Sequence, residues 1–283
     1  MNEPHESLHP AAAPLGVSVV VPVYQGEHTL PGLLRELEPF VQGARTPAGR
    51  PFQVVEVLLV HDGARDDSAG VMSALAEAHA FVKPIWLSRN FGQHPATLAG
   101  LVSSTAEWVA TLDEDGQHDP AHLGAMLDRA LEAGAQLVYA RPTNEAPHAL
   151  WRNLASRAAN ALGALLVGER TVRGFSSFRL IQGEIGRSLA AYCGPGVFLD
   201  VALSWVVGTV AFCPVALRAE GARPSGYSLG KLLSHFWRLL LTAGTRPLRI
   251  IALLGSLSIV VSFGITGYVL WAKVAHQIPI QGW

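Results

Sequence analysis

The chain has 283 residues, of which 49% are hydrophobic and only 15% are charged. Its formal net charge of −1 gives no overall basic field, so no nucleic-acid partner is expected. Two cysteines, Cys193 and Cys213, are too few for a disulfide framework and fit a reducing compartment, although two can still pair.

Residues 1–15 are rich in Pro, Ala and His and lack the basic segment and apolar run of a signal peptide, so we expect a disordered leader. Strand and helix signals then alternate as far as residue 140. Thr29 and Pro31 mark a helix start, and Asp67 or Ser68 caps the next helix. Strands are predicted at 17–23, 54–60, 84–87, 108–112 and 137–140, and helices at 30–37, 68–75, 95–103 and 123–131.

This alternation predicts an α/β fold, with a mainly parallel sheet and helices on both of its faces. Ligands of such sheets bind beyond the carboxyl ends of the strands. Polar loops follow four of the predicted strands at these ends, at 24–27, 61–67, 88–93 and 113–119. Their convergence on one edge is stronger evidence for a site than any single loop.

The pattern is looser after Arg141. We predict a long helix at 150–167, a strand or extended loop at 173–180, a helix at 198–207 and a strand at 210–217. No internal repeat is found in the sequence.

Residues 250–271 carry no charge. As a helix this run would be roughly 33 Å long, which is close to the ~30 Å hydrocarbon thickness of a bilayer. We therefore predict a membrane span rather than the alternative, a buried core helix. Arg238, Arg246 and Arg249 precede the run and only Lys273 follows it, which places the N-terminal domain in the cytoplasm. Residues 229–243 combine apolar and basic side chains, which indicates a helix lying in the membrane surface; the alternative is a helix packed on the domain.

The sharpest group of polar residues is the acidic loop 113–119. Asp113 and Asp115 are two apart after an apolar strand, so their carboxylates would face the same way if the backbone stays extended. Paired hard oxygen ligands suit Mg²⁺ or Mn²⁺, and His118 would tolerate Mn²⁺. Glu114 should point away from this pair. The alternative is an acidic loop that caps a helix, with Asp119 as N-cap.

Residues 61–63 read His-Asp-Gly after the second strand. Asp62 can accept a hydrogen bond from a ribose hydroxyl or a base N–H, while Gly63 lets the chain turn sharply. The alternative is a simple turn, since Asp-Gly is a common turn pair.

Several of these segments, in this order, resemble the motifs of family 2 glycosyltransferases. They are VVVPVY at 19–24, HDGARDDS at 61–68, LSRNFGQ at 87–93, LDEDGQHDP at 112–120, SSFR at 176–179 and SGYSLGKLL at 225–233. The resemblance covers roughly residues 17–271. It is strongest to the dolichyl-phosphate mannose synthases and the bacterial undecaprenyl-phosphate glycosyltransferases.

The resemblance implies a GT-A fold, a UDP- or GDP-sugar donor and inversion at the anomeric carbon. It assigns metal and diphosphate binding to Asp113, Asp115 and Gln117. It assigns contacts with the donor nucleotide to a second set, which consists of Pro22, Tyr24, Glu27 and Asp62. His61 departs from the family, which usually has an aspartate at this position.

The resemblance also places three arginines around the acceptor phosphate and donor diphosphate, namely Arg141, Arg179 and Arg223. Guanidinium groups bind phosphate in a bidentate manner and stay charged. Ser225 and Tyr227 can donate to a phosphate or cap the following helix.

A phosphate monoester is largely a dianion at neutral pH, because its second pKa is about 6. Such a nucleophile needs little proton removal, so no single carboxylate should be an indispensable base. Asp200 is the best alternative base.

The resulting expectation is a membrane-bound enzyme that transfers a sugar to a polyprenyl phosphate with Mg²⁺ or Mn²⁺, on the cytoplasmic side of the cell (inner) membrane. Its partners would be a nucleotide-sugar, the polyprenyl phosphate and membrane lipid, and homo-oligomerisation is left open. The predicted parts are a leader at 1–15, a GT-A domain at 16–227, an interfacial helix at 228–247, a transmembrane helix at 248–272 and a non-cytoplasmic loop at 273–283, with a further span after it left open.

Three alternatives stay open. A family 2 enzyme with a hydroxyl acceptor would need a base. A sugar nucleotidyltransferase would want a glycine-rich, basic loop, whereas residues 23–28 contain one glycine and no Arg or Lys. A catalytically silent protein that binds nucleotide-sugar is disfavoured by the intact pair Asp113 and Asp115.

Overall fold

The computed structural model describes residues 13–143, 175–194, 196–218 and 245–276. Its centre is one eight-stranded sheet. The strands are β1 Leu15–Val23, β2 Ala44–Arg45, β3 Pro51–His61, β4 Val82–Trp86, β5 Trp108–Thr111, β6 Leu137–Pro142, β7 Arg179–Gln182 and β8 Val210–Val215.

Helices connect most of these strands. They are α1 Leu30–Val41, α2 Ser68–Ala78, α3 Gln93–Ser103, α4 Leu123–Ala133, α5 Gly183–Tyr192, α6 Leu199–Val206 and α7 Thr245–His276. A single 3-10 turn, Pro120–His122, leads into α4. The predicted helix at 150–167 lies outside the described residues.

The strand order is β2-β3-β1-β5-β7-β6-β8, and β4 also pairs with β3. β1 lies centrally and is parallel to both β3 and β5. β7 runs antiparallel between β5 and β6, so the sheet is mixed at this point rather than parallel throughout. As a consequence, the residues that precede β7 reach the same edge as those that follow β1, β3, β4 and β5.

The predicted helices on both faces are confirmed, because buried side chains form two clusters, one on each side of the sheet. α1, α2 and α4 contribute to one cluster, and α3, α5 and α6 to the other. Alternation along β1 explains the division, since Val19 and Val21 belong to the first cluster and Val20 to the second. An apolar run of this kind is what a strand covered on both faces requires.

Details at the element ends differ from the sequence predictions. Thr29 does not cap α1, because its hydroxyl donates to the Gly26 carbonyl at 3.5 Å and its backbone is already helical. Asp67 does cap α2, where its carboxylate accepts from the Gly70 amide at 3.3 Å. β4 starts at Val82, two residues before the prediction, because pairing with β3 extends through Lys83. A strand that pairs through a charged residue gives no apolar signal there.

The long helix α7 contains the apolar 25-residue stretch Ile251–Ala275, with mean hydropathy 1.9. All of its side chains except that of Ala272 are exposed. By length and composition it can cross a membrane. Its large apolar side chains are exposed, Phe263 by 75% and Leu253 by 70%. The helix extends beyond the predicted span 248–272 at both ends. Of the predicted interfacial helix 228–247, only the last three residues are among those described, and they belong to α7.

Candidate active site

Two carboxylates at the carboxyl edge of the sheet each connect two neighbouring loops by accepting hydrogen bonds from backbone amides. Glu114, after β5, accepts from the amides of Tyr24 at 2.9 Å and Gln25 at 2.8 Å, which follow β1. Asp62, after β3, accepts from the amides of Phe91 at 2.7 Å and Gly92 at 2.8 Å, which follow β4. Glu114 thus connects the loop after β5 to the loop after β1, a contact that no local sequence pattern marks. The expectation that Glu114 is not a metal ligand stays a prediction.

The acidic loop turns at residues 114 and 115, so the condition set for Asp113 and Asp115 to face the same way, an extended backbone, is not met. Gly116 has φ of 75°, in the left-handed region that favours glycine. Asp115 accepts from the Gln117 amide at 3.0 Å through one oxygen, and Asp119 accepts from Ala121 at 2.9 Å as cap of the 3-10 turn. The capping alternative is therefore correct for Asp119 alone.

Asp113 is held through both carboxylate oxygens. Gln93 donates its side-chain amide to one oxygen at 2.6 Å, and the hydroxyl of Ser177 donates to the other at 2.5 Å. The Asp113 side chain is 28% exposed, so it faces the edge of the sheet while these neighbours orient it. Both donors lie in segments that carry the family resemblance, but their contact with Asp113 depends on β7 running antiparallel to β5.

His118 is buried under the acidic loop, with its ring stacked 5.1 Å from that of Phe178. Nδ1 accepts from the Asp113 amide at 3.0 Å, and Nε2 is 3.9 Å from the nearer Asp113 oxygen, too long for a hydrogen bond. Burial lowers the pKa of His118, although the charges of Asp113 and Asp115 oppose this shift. Through the hydrogen bond that Nδ1 accepts, the ring supports the acidic loop from beneath, and a contact with a metal ion stays a prediction.

The donor atoms of the loop fit a hard divalent cation. Asp113 and Asp115 offer carboxylate oxygens, and Mg²⁺ commonly takes only one or two protein carboxylates together with substrate phosphates and water. Within the part of the chain that the structure describes, no group of three His, Cys, Asp or Glu side chains could hold an ion alone. The Gln117 carbonyl accepts from the Arg218 amide at 3.0 Å, and its role as a ligand stays a prediction.

The residues expected to contact the donor nucleotide lie at the ends of β1 and β3 and in the loops that follow them. Pro22 is half-buried in β1, and Tyr24 is half-buried just after it. Glu27 accepts from the Asp67 amide at 3.2 Å. Asp62 is only 3% exposed and directs both oxygens to the loop after β4, so in this structure it shapes the site from beneath; direct contact with a nucleotide stays a prediction.

Gly63 makes the sharp turn that was expected. Its φ is 63°, and a Cβ at this position would lie 2.5 Å from the Asn90 amide nitrogen. His61, the departure from the family, has its ring 5.3 Å from that of Trp86, which is half exposed at the same edge.

Arg179 and Asp200 are buried beneath the edge, where Arg179 pairs with Thr111, the last residue of β5. They form an ion pair in which the two side chains are 3% and 5% exposed, and Tyr139 donates its hydroxyl to Asp200 at 2.9 Å. Burial raises the pKa of Asp200 and of Tyr139. In this structure neither charged group faces solvent, so phosphate binding by Arg179 and base catalysis by Asp200 stay predictions.

The remaining predicted acceptor residues divide into two groups. Arg141 is exposed near the carboxyl end of β6, at the expected edge. Arg223, Ser225 and Tyr227 lie outside the described residues.

Arg218, which sequence reasoning missed, pairs with Glu36 at 2.7 Å and with Asp119 at 2.9 Å. No local pattern marks it, because its partners are far away in sequence.

Comparison with known proteins connects this geometry to one family. Residues 18–201 match the family model Glycosyl transferase family 2. The undecaprenyl-phosphate 4-deoxy-4-formamido-L-arabinose transferase of Pseudomonas paraeruginosa is 33% identical over 240 residues, covering 84% of this chain and 68% of that protein. The protein of the same name from Sodalis glossinidius is 30% identical over 250 residues, covering 87% and 73%.

Solved structures show the fold. Glucosyl-3-phosphoglycerate synthase from Mycobacterium tuberculosis, crystallised with Mn²⁺, UDP-glucose and phosphoglyceric acid, superposes with a TM-score of 0.58 at 20% identity. The superposition covers 82% of this chain and 80% of that one. The predicted GT-A type of α/β fold is thereby confirmed.

Proposed function

Because this chain belongs to glycosyltransferase family 2, we propose that it transfers a sugar from a UDP- or GDP-sugar to a polyprenyl phosphate, with inversion at the anomeric carbon. The chain is a glycosyltransferase; the donor, the acceptor, the metal and the stereochemistry are what we propose. The reaction would take place at the cytoplasmic face of the cell membrane.

One observation carries the choice of acceptor. A family 2 site and an unburied apolar helix of membrane-spanning length occur in the same chain, and relatives at 33% and 30% identity are named as transferases acting on undecaprenyl phosphate. A helix anchored in the bilayer would keep the domain near the lipid surface, where the phosphate head of a polyprenyl lipid lies.

Asp113 and Asp115 would hold the divalent cation, Mg²⁺ or Mn²⁺, with Gln117 beside them. Such an ion, when bound with the donor, offsets negative charge on the departing nucleoside diphosphate. The fixed position of Asp113 supports this role, since both of its oxygens are already oriented by neighbouring donors.

The nucleotide would lie over the loops after β1 and β3, with Pro22, Tyr24, Glu27 and Asp62 forming or shaping its site. Arg141, at the same edge, would bind phosphate. Arg179, Arg223, Ser225 and Tyr227 complete the proposed acceptor side.

We expect no indispensable general base. The acceptor phosphate is already largely a dianion at neutral pH. The burial of Asp200 against Arg179 supports this view, because a carboxylate in a buried ion pair does not reach a substrate oxygen.

The test is transfer of radiolabelled sugar from a panel of UDP- and GDP-sugars to undecaprenyl phosphate in detergent. We expect the label in the lipid product, its loss with EDTA and its recovery with Mn²⁺. Asp113→Asn and Asp115→Asn should each reduce transfer by about 100-fold or more, because each removes charge where the diphosphate accumulates it.

A matched control is Glu107→Gln, which neutralises an exposed carboxylate just before β5, at the opposite end of the strand. It should leave transfer unchanged. Transfer that survives EDTA and both aspartate variants would contradict the metal-dependent mechanism. Labelling of a hydroxyl acceptor alone, or donor binding without any lipid labelling, would favour the two alternative functions instead.

A further inference from the structure

We infer that Ser177 and Gln93 are positioning residues, which hold the Asp113 carboxylate in the orientation that receives the divalent cation. This inference rests on the proposed function, because it takes Asp113 as a metal ligand. It adds two residues from distant segments of the chain, neither of which was assigned a role from the sequence.

The two donors act on different oxygens of the same carboxylate. The Ser177 hydroxyl donates to Oδ2 at 2.5 Å and the Gln93 amide donates to Oδ1 at 2.6 Å. A carboxylate has about four lone-pair sites, so each oxygen of Asp113 keeps one for an ion. Rotation of the carboxylate would break both hydrogen bonds, so the available lone pairs are fixed in direction.

Ser177 donates from a backbone that is anchored on the sheet. Its carbonyl accepts from the Thr111 hydroxyl at 2.5 Å and from Nε of Arg179 at 3.4 Å. Thr111 and Arg179 are paired residues of β5 and β7. Arg179 is held in turn by its buried ion pair with Asp200. The buried pair thus supports the metal carboxylate through Ser177, without needing any contact with substrate.

Gln93 donates from an equally restrained position. It is the first residue of α3, and its carbonyl accepts from the Thr97 hydroxyl at 2.8 Å. The preceding residues, Phe91 and Gly92, are bound through their amides to buried Asp62. Removing a hydrogen-bond partner that orients a metal ligand typically lowers metal affinity about 10–100-fold. The ligand, here the Asp113 carboxylate, must then be ordered when the metal binds.

The experiment measures Mn²⁺ binding to the full chain by electron paramagnetic resonance of free Mn²⁺, in separate runs with UDP and with GDP. Ser177→Ala should weaken Mn²⁺ binding about 10–100-fold. Ser177→Thr keeps the hydroxyl and should restore affinity to within a few-fold of wild type. Ser176→Ala is the matched control, because the Ser176 hydroxyl accepts from the Phe178 amide instead. It should bind Mn²⁺ like wild type.

Gln93→Ala removes the other donor at an exposed position and should also weaken binding, which keeps the test decisive if Ser177→Ala folds poorly. Equal Mn²⁺ affinity in wild type, Ser177→Ala and Gln93→Ala would overturn the positioning role while leaving the proposed metal site intact. A lower melting temperature with unchanged affinity would have the same meaning. Failure of wild type to bind Mn²⁺ in either run would overturn the metal site itself, and the positioning role with it.

Discussion

At the scale of single residues, burial separates ion pairs on which the fold depends from ion pairs that contribute little to stability. Arg179 and Asp200 are almost completely buried, whereas the pair Arg218 and Glu36 is 40% exposed on each side. A buried charge that loses its partner stays desolvated, and this is costly. An exposed ion pair is screened by water and contributes little.

Asp200→Asn should therefore lower the free energy of unfolding by about 3–5 kcal/mol, because Arg179 keeps a buried charge without a counter-ion. Glu36→Gln, in the exposed pair, should cost no more than about 1 kcal/mol. Urea denaturation of the detergent-solubilised chain measures both. Equal effects would contradict the structural role of the buried pair. If folded Asp200→Asn kept wild-type affinity for both Mn²⁺ and donor but lost all turnover, the proposal that no general base is needed would be wrong.

At the scale of elements, Glu56 of β3 joins three segments. Its buried carboxylate accepts from Ser18 of β1 at 2.6 Å, from the Thr105 amide before β5 at 2.6 Å and from Lys83 of β4 at 2.5 Å. Burial by itself would raise the pKa of Glu56, but these hydrogen bonds outweigh it and hold the pKa below the ordinary 4.5.

This shift makes the strength of that junction depend on pH. A carboxyl whose folded pKa is depressed contributes stability that is present above its unfolded pKa and is lost as pH falls through the folded pKa. Glu56→Gln should lower the free energy of unfolding by about 1–3 kcal/mol at pH 7. The difference from wild type should shrink below pH 4.5. Denaturation curves at pH 7 and in acid measure it, with Glu77→Gln on the exposed face of α2 as control. A difference that is independent of pH would argue against this account.

The loop between β3 and α2 meets the loop between β4 and α3 at Gly63. Gly134, the cap of α4, has a similar φ of 56°, but a Cβ there would meet nothing within 4 Å. Gly134→Ala should thus report only the left-handed backbone strain of about 1–2 kcal/mol. Gly63→Ala should cost more and should also weaken donor binding, because Asn90 and the loop after β4 must move.

Melting temperature and calorimetric affinity for the nucleotide-sugar distinguish these two effects. Donor affinity should be unchanged in Gly134→Ala and reduced in Gly63→Ala. Equal stability and equal affinity in the two variants would show that the close approach at Gly63 has no consequence.

At the scale of the whole molecule, α7 differs from every other helix described. Helices α1 to α6 each bury side chains against the sheet, whereas all described side chains of Ile251–Ala275 in α7 except that of Ala272 are exposed. An apolar surface of this length is stabilised by lipid rather than by water. The helix would therefore hold the domain at the membrane.

A charge at the middle of the span should oppose insertion. Phe263→Arg places an arginine at the centre of Ile251–Ala275, at a cost of about 2.5–3.5 kcal/mol, whereas Val274→Arg lies at its end, next to Lys273, where the side chain can reach the interface. We expect Phe263→Arg to reduce the fraction of chain in the carbonate-resistant membrane pellet, with Val274→Arg close to wild type. Equal retention of both would contradict a membrane span.

Local patterns in the sequence were enough to predict most of the secondary-structure elements and their order. The β-branched run of β1, the leucine spacing of α1 and α4 and the uncharged run of α7 each have a period or length that fits one kind of element. The order of elements and an α/β sheet with helices on both faces could therefore be predicted from these patterns, whereas the GT-A type was implied by the family resemblance. The acidic loop could be located because parallel strands bring their carboxyl ends to one edge.

Only the tertiary structure decided which side chains act on each other. Ser177 meets Asp113, and Asp62 meets Phe91 and Gly92, across separations of 64, 29 and 30 residues. The burial of Arg179 and Asp200 likewise follows from the pairing of β7 with β5 and from the packing of α6. Sequence spacing reports the shape of one element, whereas hydrogen bonds and desolvation depend on distances between elements, and these exist only once the chain has folded.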